Sequence, residues 1–161
     1  MPATRLGLCQ TEPVSREARR GNLPRTATTL IGRERLLPTI AALVRRHQLV
    51  TLSGVGGVGK TRLALATAAH LADDFPDGVW LVELAPVGDP DAVPDAIAHS
   101  LGITPQGETP VIDAVAESVA GRRLLIVIDN CEHVLAAAAA AIEQVISCSE
   151  TPSIMATSRE D

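Results

Sequence analysis

The sequence predicts a three-layer α/β fold, a parallel sheet with helices on both faces. Three observations predict it. Strand-like and helix-like segments alternate in the order β-α-β-α-α-β-α-β, preceded by one further helix, the signature of parallel crossover units. One strand, Leu124–Ile128, is an unbroken aliphatic run, as expected of a strand buried on both faces. Another, Leu49–Ser53, runs straight into a glycine-rich turn that opens a helix.

Taken in order, residues 1–24 are polar and basic, carry Pro2, Pro13 and Pro24, and show no periodicity, so they predict a disordered leader ahead of a domain over 25–161. Arg33–Arg46 places Leu36, Leu37, Ile40, Leu43 and Val44 at helical spacing. Leu49–Ser53 is the first strand, and Lys60–Ala72 the helix after the glycines. Asp74–Gly78 reads as a turn and Val79–Leu84 as the second strand, ended by Pro86. A helix comes next, from about Asp91 to Leu101, with Pro94 in its first turn. Thr109–Ala120 is another, with Pro110 just inside its start and Gly121 just past its end. After the aliphatic third strand, His133–Ser147 is helical, its Ala136–Ala141 stretch being made of the best helix former. Ser153–Thr157 is the fourth strand. Standing last, it is expected to fray and to hold Arg159 loosely.

Composition narrows the function. Hydrophobic residues make up 46% of the 161, enough for a core, but there is one Trp, one Phe and no Tyr. The core is therefore aliphatic, and base stacking on an aromatic platform is disfavoured. Residues 1–46 hold nine Lys/Arg against three Asp/Glu, and residues 47–161 hold five against sixteen. A basic arm beside an acidic domain suits either nucleic-acid contact or a solvated leader, and no aromatic-interleaved pattern favours the first. Cys9, Cys131 and Cys148 are an odd set without metal-ligand spacing, as in a reducing cytoplasm. His47, His70, His99 and His133 are scattered and expected on helix surfaces or ends. No run of about 18 apolar residues stands out as a membrane span, and the N-terminus lacks an apolar secretory core.

Gly54-Val55-Gly56-Gly57-Val58-Gly59-Lys60-Thr61 matches the phosphate-binding loop pattern GxxxxGK[ST] in full. Glycines let the backbone turn tightly and aim successive N–H groups at phosphate oxygens. The helix that starts there presents its positive end to the same anion. Lys60 reaches the outer phosphates, and the Thr61 hydroxyl is a Mg²⁺ ligand. Average residue usage would produce the pattern in roughly one chain of this length in a hundred.

Three further residues fall at carboxyl ends of strands, where ligands of such sheets bind. Asp129 ends the aliphatic strand and suits a second Mg²⁺ ligand, although a lone Asp there also serves as a turn or cap. Asn130 stands where many phosphate-loop ATPases carry a second acid. Glu132 is the remaining candidate for polarising water, or simply a first-turn Glu favoured by a helix dipole. Arg159 comes just after the fourth strand. With that strand inserted beside the first, it is a candidate cation for the terminal phosphate; otherwise it is a surface Arg.

These pieces in this order resemble the signalling ATPases with numerous domains (STAND), the relatives of NB-ARC proteins, and within them the nucleotide-binding module of bacterial LuxR-like and AfsR-like transcriptional regulators. The matching segments are Asn22-Leu23-Pro24, Leu30–Arg35, Leu49–Leu65, Phe75–Pro86, Leu124–His133 and Ala156–Glu160. The resemblance implies adenine contacts at Ile31 and Gly32, an additional-strand order with Ser153–Thr157 between the other two ligand-bearing strands, and Arg159 on the γ-phosphate. It also implies partners, since family members continue with a fifth strand, a helical lid, a winged-helix segment and effector domains. Ending at Asp161, the chain is expected to be truncated there, its first strand left as an open edge.

The expected function is therefore a cytoplasmic domain that binds ATP or ADP with Mg²⁺, hydrolyses ATP slowly or negligibly, and serves as a nucleotide-dependent switch. Direct DNA contact by this segment is not expected. One alternative is a remnant that holds nucleotide without turnover. Another is a small P-loop kinase, but Arg122 and Arg123 lie at the far end of the buried strand from the site. No NKxD-like guanine motif is present.

Overall fold

The four strands lie parallel in the order β1-β4-β3-β2, so the last strand in sequence sits between the first and the third. The computed structural model describes residues 21–24, 32 and 35–159. β1 is Leu49–Ser53, β2 Val79–Glu83, β3 Leu125–Asp129 and β4 Ser153–Ser158. The helices are α1 (Leu36–Arg46), α2 (Lys60–His70), α3 (Val93–Ser100), α4 (Val111–Val119) and α5 (Leu135–Cys148). Short 3-10 turns over Ala72–Asp74, Pro90–Ala92 and Cys131–Val134 link them.

The aliphatic run of β3 explains the layering. Side chains alternate across a strand, so Leu125 and Val127 enter one core with Ile40, Val44, Leu63, Leu71 and Met155, under α1 and α2. Ile126 and Ile128 enter the other, with Val115, Val145 and Ile154, under α3, α4 and α5. All four are 2% exposed or less. Truncating one of them, Ile126→Ala for example, costs about 2–5 kcal/mol.

Element boundaries shift for identifiable reasons. The helix expected over 33–46 is α1 from Leu36. The one expected from Asp91 starts as a 3-10 turn, because the Asp89 side chain accepts the Asp91 N–H and holds the entry in a turn. Pro110 caps α4 from outside, with extended ψ, instead of lying in its first turn. Gly121 leaves α4 at φ +75, the left-handed exit expected of it. α5 begins at Leu135, since Cys131–Val134 winds as 3-10 after Asn130 turns left-handed.

Residues 21–24, expected to belong to the disordered leader, run along β2. Gly21 bridges Val79 in parallel, and the Asn22 amide mimics a strand partner, donating to the Leu81 carbonyl at 2.9 Å and accepting the Leu81 N–H at 2.6 Å. A Cβ at Gly21 would meet the Val79 oxygen at 2.0 Å, so only glycine passes there. The rest of that leader lies outside the described residues. At the opposite edge, β1 pairs with β4 alone among the described residues.

The expectation that no stretch suits a membrane span needs correction. Cys131–Cys148 is long and apolar enough by length and composition, with mean hydropathy 1.2. Here the α5 part of it is a core helix, burying Ala138, Ala141, Ile142 and Val145 against the sheet and α4.

Candidate functional site

The carboxyl ends of β1, β3 and β4 open into one crevice of about 220 Å³, lined by Gly56, Gly57, Gly59, Lys60, Thr61, Asn130, Glu132, Thr157 and Arg159. Its first wall is the loop Gly54–Thr61. Gly57 (φ +78) and Gly59 (φ +84) have left-handed backbones that a side chain would strain. Among the described residues nothing lies within 4 Å of where their Cβ atoms would be, so conformation and not crowding requires glycine there. Gly59 is also the N-cap of α2, so the helix starts within the loop, and its first residues, Lys60 and Thr61, line the crevice. The Lys60 ammonium lies over the loop, donating to the Gly54 carbonyl at 2.6 Å and the Val55 carbonyl at 2.9 Å. Val55 is 63% exposed on the outside of the loop, and Val58 packs its side chain toward Gly54.

The second wall comes from β3 and β4. Thr61 Oγ1 donates to Asp129 at 2.8 Å (Oδ1) and 3.0 Å (Oδ2). Thr157 Oγ1 donates to the same Oδ1 at 2.5 Å and accepts the Asn130 N–H at 3.0 Å. Asn130 has φ +69, the one non-glycine residue with positive φ among those described, and Asn tolerates that region. Glu132 sits on the following 3-10 turn and pairs with Arg159, Nε to Oε1, at 2.9 Å. Arg159 also lies against the loop, its guanidinium carbon 3.5 Å from where a Gly56 Cβ would be.

The structure thus brings together Gly54–Thr61, Asp129, Glu132 and Arg159. Gly32 is exposed, with φ +80 and, among the described residues, nothing within 4 Å of its Cβ position. Ile31 lies outside the described residues. The last strand in sequence, expected to fray, lies inside the sheet. β4 is flanked by β1 and β3, its Ser158 is in register with Ser53, and Glu132 tethers Arg159.

Thr157 and His133 are residues that sequence reasoning passed over. Thr157 is 2% exposed and joins two strand ends. Its signal was a hydroxyl at the tip of a strand placed beside β3. His133, expected on a helix surface or end, bonds through Nε2 to the carbonyls of Leu84 at 2.8 Å and Val87 at 3.0 Å, tying the turn that bears Glu132 to the exit of β2. Cys131, between these groups, is buried. Desolvation first, then the charges of Asp129 and Glu132, push its thiol up to about 11, so it stays protonated at neutral pH.

The donors fit a particular kind of ligand. A hydroxyl and a carboxylate meeting within 3.0 Å are hard oxygen donors of the type that holds Mg²⁺ through one or two protein groups, with phosphate and water supplying the rest. Loop N–H groups, a helix N-terminus, an ammonium and a guanidinium fit a polyphosphate.

The AAA domain family matches residues 44–157. The chain belongs to that family. A putative HTH-type transcriptional regulator of Mycobacterium tuberculosis is 40% identical over 119 residues, 74% of this chain and 13% of the regulator. The regulatory protein AfsR of Streptomyces coelicolor is 28% identical over 143 residues, 78% of this chain and 14% of AfsR. The matched part therefore spans about one eighth of these regulators' own length. Among solved structures, the ORC2 protein of Aeropyrum pernix superposes with a TM-score of 0.59 at 18% identity, covering 82% of this chain and 42% of that one. Cdc6p of Pyrobaculum aerophilum superposes at 0.58 and 16%, covering 87% and 41%. These superpositions show that the chain shares the α/β fold of those proteins.

Proposed function

We propose that this AAA domain binds ATP with Mg²⁺, turns it over slowly or not at all, and acts as the nucleotide-dependent switch module of a cytoplasmic signalling or transcription regulator of the STAND/NB-ARC kind. The observation that carries the reading is the meeting of Thr61 with Asp129 beside a glycine loop crossed by the Lys60 ammonium. In this reading Gly54, Val55, Gly56, Gly57, Val58 and Gly59 cradle the phosphates through backbone N–H groups. Lys60 binds the outer phosphates, Thr61 and Asp129 hold the metal, and Arg159 contacts the terminal phosphate. Ile31 and Gly32 belong to the adenine pocket. The regulator role is supported by the kind of relatives the chain resembles, which are regulators several times its length.

Slow turnover is supported by two features. Asn130 replaces the acid that would polarise water, and Glu132, the other candidate, is engaged with Arg159. A remnant that holds nucleotide without turnover draws on the same features, and sensitive phosphate release separates the two. The reading as a whole is tested by equilibrium binding of ATP, ADP and GTP to the purified chain, with Mg²⁺ and with EDTA. Mg²⁺-strengthened binding of ATP over GTP is expected. Absence of any nucleotide binding overturns the reading.

A further inference from the structure

We propose that Thr157 is a positioning residue for the divalent cation: its hydroxyl fixes which oxygen of Asp129 faces the metal. The inference rests on the Mg·ATP reading above and deepens it.

The hydrogen-bond directions are determined by chemistry. A backbone N–H can only donate, so the Asn130 amide, 3.0 Å away, takes a lone pair of Thr157 Oγ1. The single hydroxyl proton is then committed to Asp129 Oδ1 at 2.5 Å. Oδ1 also lies 2.8 Å from the Thr61 hydroxyl, whereas Oδ2 has, among the described residues, that hydroxyl alone, at 3.0 Å. One carboxylate oxygen is thereby engaged from two sides, and the other keeps free acceptor capacity beside Thr61. A carboxylate tied down at one oxygen meets a cation with the other without first losing rotational freedom.

The strand geometry makes the hydroxyl necessary. Backbone register between β3 and β4 ends at Ile128↔Ala156, whereas β1 and β4 stay paired to Ser53↔Ser158. Beyond Ile128, β3 peels away from β4 and Asn130 turns left-handed. The Thr157 hydroxyl replaces the missing backbone rung, binding both the Asn130 N–H and the Asp129 side chain. At 2% exposure the threonine is largely shielded from bulk solvent. A methyl group of the same size would keep the packing and lose both bonds.

The test uses the full chain and three proteins: wild type, Thr157→Val and Thr157→Ser. Binding of a fluorescent ATP analogue is titrated with Mg²⁺ and repeated in EDTA, with thermal melting alongside. Thr157→Val is expected to raise the Mg²⁺ concentration for half-maximal effect about tenfold, the lower end of what loss of a supporting partner does at metal sites. Binding in EDTA should stay within about twofold, because the loop wall is untouched. Thr157→Ser should return the Mg²⁺ dependence to within about threefold of wild type. If the valine variant does not fold, Thr157→Ala replaces it with the same expected outcome. Wild-type Mg²⁺ dependence in the hydroxyl-free variant overturns the inference while leaving the nucleotide reading intact. So does equal loss with and without Mg²⁺, or a serine variant as impaired as valine. Failure of the wild type to bind nucleotide at all overturns both.

Discussion

The two walls of the crevice are built by different means. Gly54–Thr61 is one stretch of chain whose shape derives from left-handed glycines and a helix start, both local features of the backbone. The facing wall is assembled. Thr157 is separated from Asn130 and Asp129 by 27 and 28 residues, and side-chain bonds rather than the sheet ladder hold their ends together. A wall shaped by backbone can lose a side chain and keep its form. A wall shaped by side-chain bonds cannot. The first is therefore suited to supplying affinity for phosphate, the second to discriminating metal and terminal phosphate. Substitutions on the two sides should fail in different ways.

The largest effect is expected on the backbone-shaped wall. Lys60→Ala removes a cation from a cradle that otherwise keeps its geometry. A hydrogen bond to a charged group is worth up to about 3 kcal/mol, so ATP affinity should fall roughly 100-fold, with or without Mg²⁺. Melting temperature should hardly change, because among the described residues the Lys60 ammonium hydrogen-bonds to loop carbonyls only. Wild-type affinity in calorimetry would remove the loop from the binding account.

Asp129→Asn should instead produce a loss that depends on metal. The amide keeps the size of the carboxylate but not its charge, and its NH₂ group cannot accept the bonds from Thr61 and Thr157 at one of the two positions. A loss of about 2 kcal/mol, near 30-fold, is expected in Mg²⁺ and little in EDTA. Identical Mg²⁺ titrations for the two proteins would make Asp129 a structural residue and erase the distinction between the walls.

The same distinction explains which features could be read from sequence. The loop is legible because everything it needs is local: glycine spacing, a strand before it and a helix after it. β3 is legible because burial on both faces leaves an unbroken aliphatic run, and Asp129 because it breaks that run. The place of β4 between β1 and β3 is not encoded in local pattern. It came from resemblance, and the fraying expected of the strand that bears Arg159 weighed its place at the end of the sequence and not the strands on either side of it. Thr157 was invisible because a threonine at a strand tip carries no signal until the neighbouring strand and its register are known. Asn22 was missed likewise: its side chain acts as a strand partner for Leu81, and no propensity encodes that.

Asn130 offers a way to sharpen the comparison through chemistry. Hydrolysis requires a water in line with the terminal phosphorus and a group to orient it. We expect turnover slower than about one per minute, well under the usual enzyme range. Asn130→Asp places an acid at the exit of β3 in a left-handed conformation that Asp also tolerates, without disturbing the backbone N–H bonded to Thr157. A well-placed base contributes about 100-fold or more. With only its backbone anchored, the new acid should give roughly tenfold, read as phosphate release in excess ATP. That rise should exceed the fall caused by Glu132→Gln. Steady turnover near one per second by the unaltered chain, lost in Glu132→Gln, would reverse the assignment of Glu132 and Asn130.

The smallest effect should come from the most exposed bond of the assembled wall. Arg159 and Glu132 are 61% and 20% exposed, so their ion pair is worth at most about 1 kcal/mol after solvent screening. A terminal phosphate and the Glu132 carboxylate compete for the same guanidinium. Glu132→Gln ends that competition and removes a negative charge from beside the phosphates, and both changes favour ATP. Its affinity should tighten by no more than about fivefold, the factor that 1 kcal/mol represents. ADP, with no terminal phosphate near Arg159, should change by less than about twofold. Because the pair is exposed, the ATP effect should shrink as salt rises from about 0.05 M to 0.5 M. The mediator is identified by a double-mutant cycle, comparing Glu132→Gln alone with Glu132→Gln in an Arg159→Ala background. If Arg159 carries the effect, the tightening vanishes in that background. If it persists at full size, Glu132 acts on the phosphates by direct repulsion, and the two residues are neighbours on the wall without forming a coupled device.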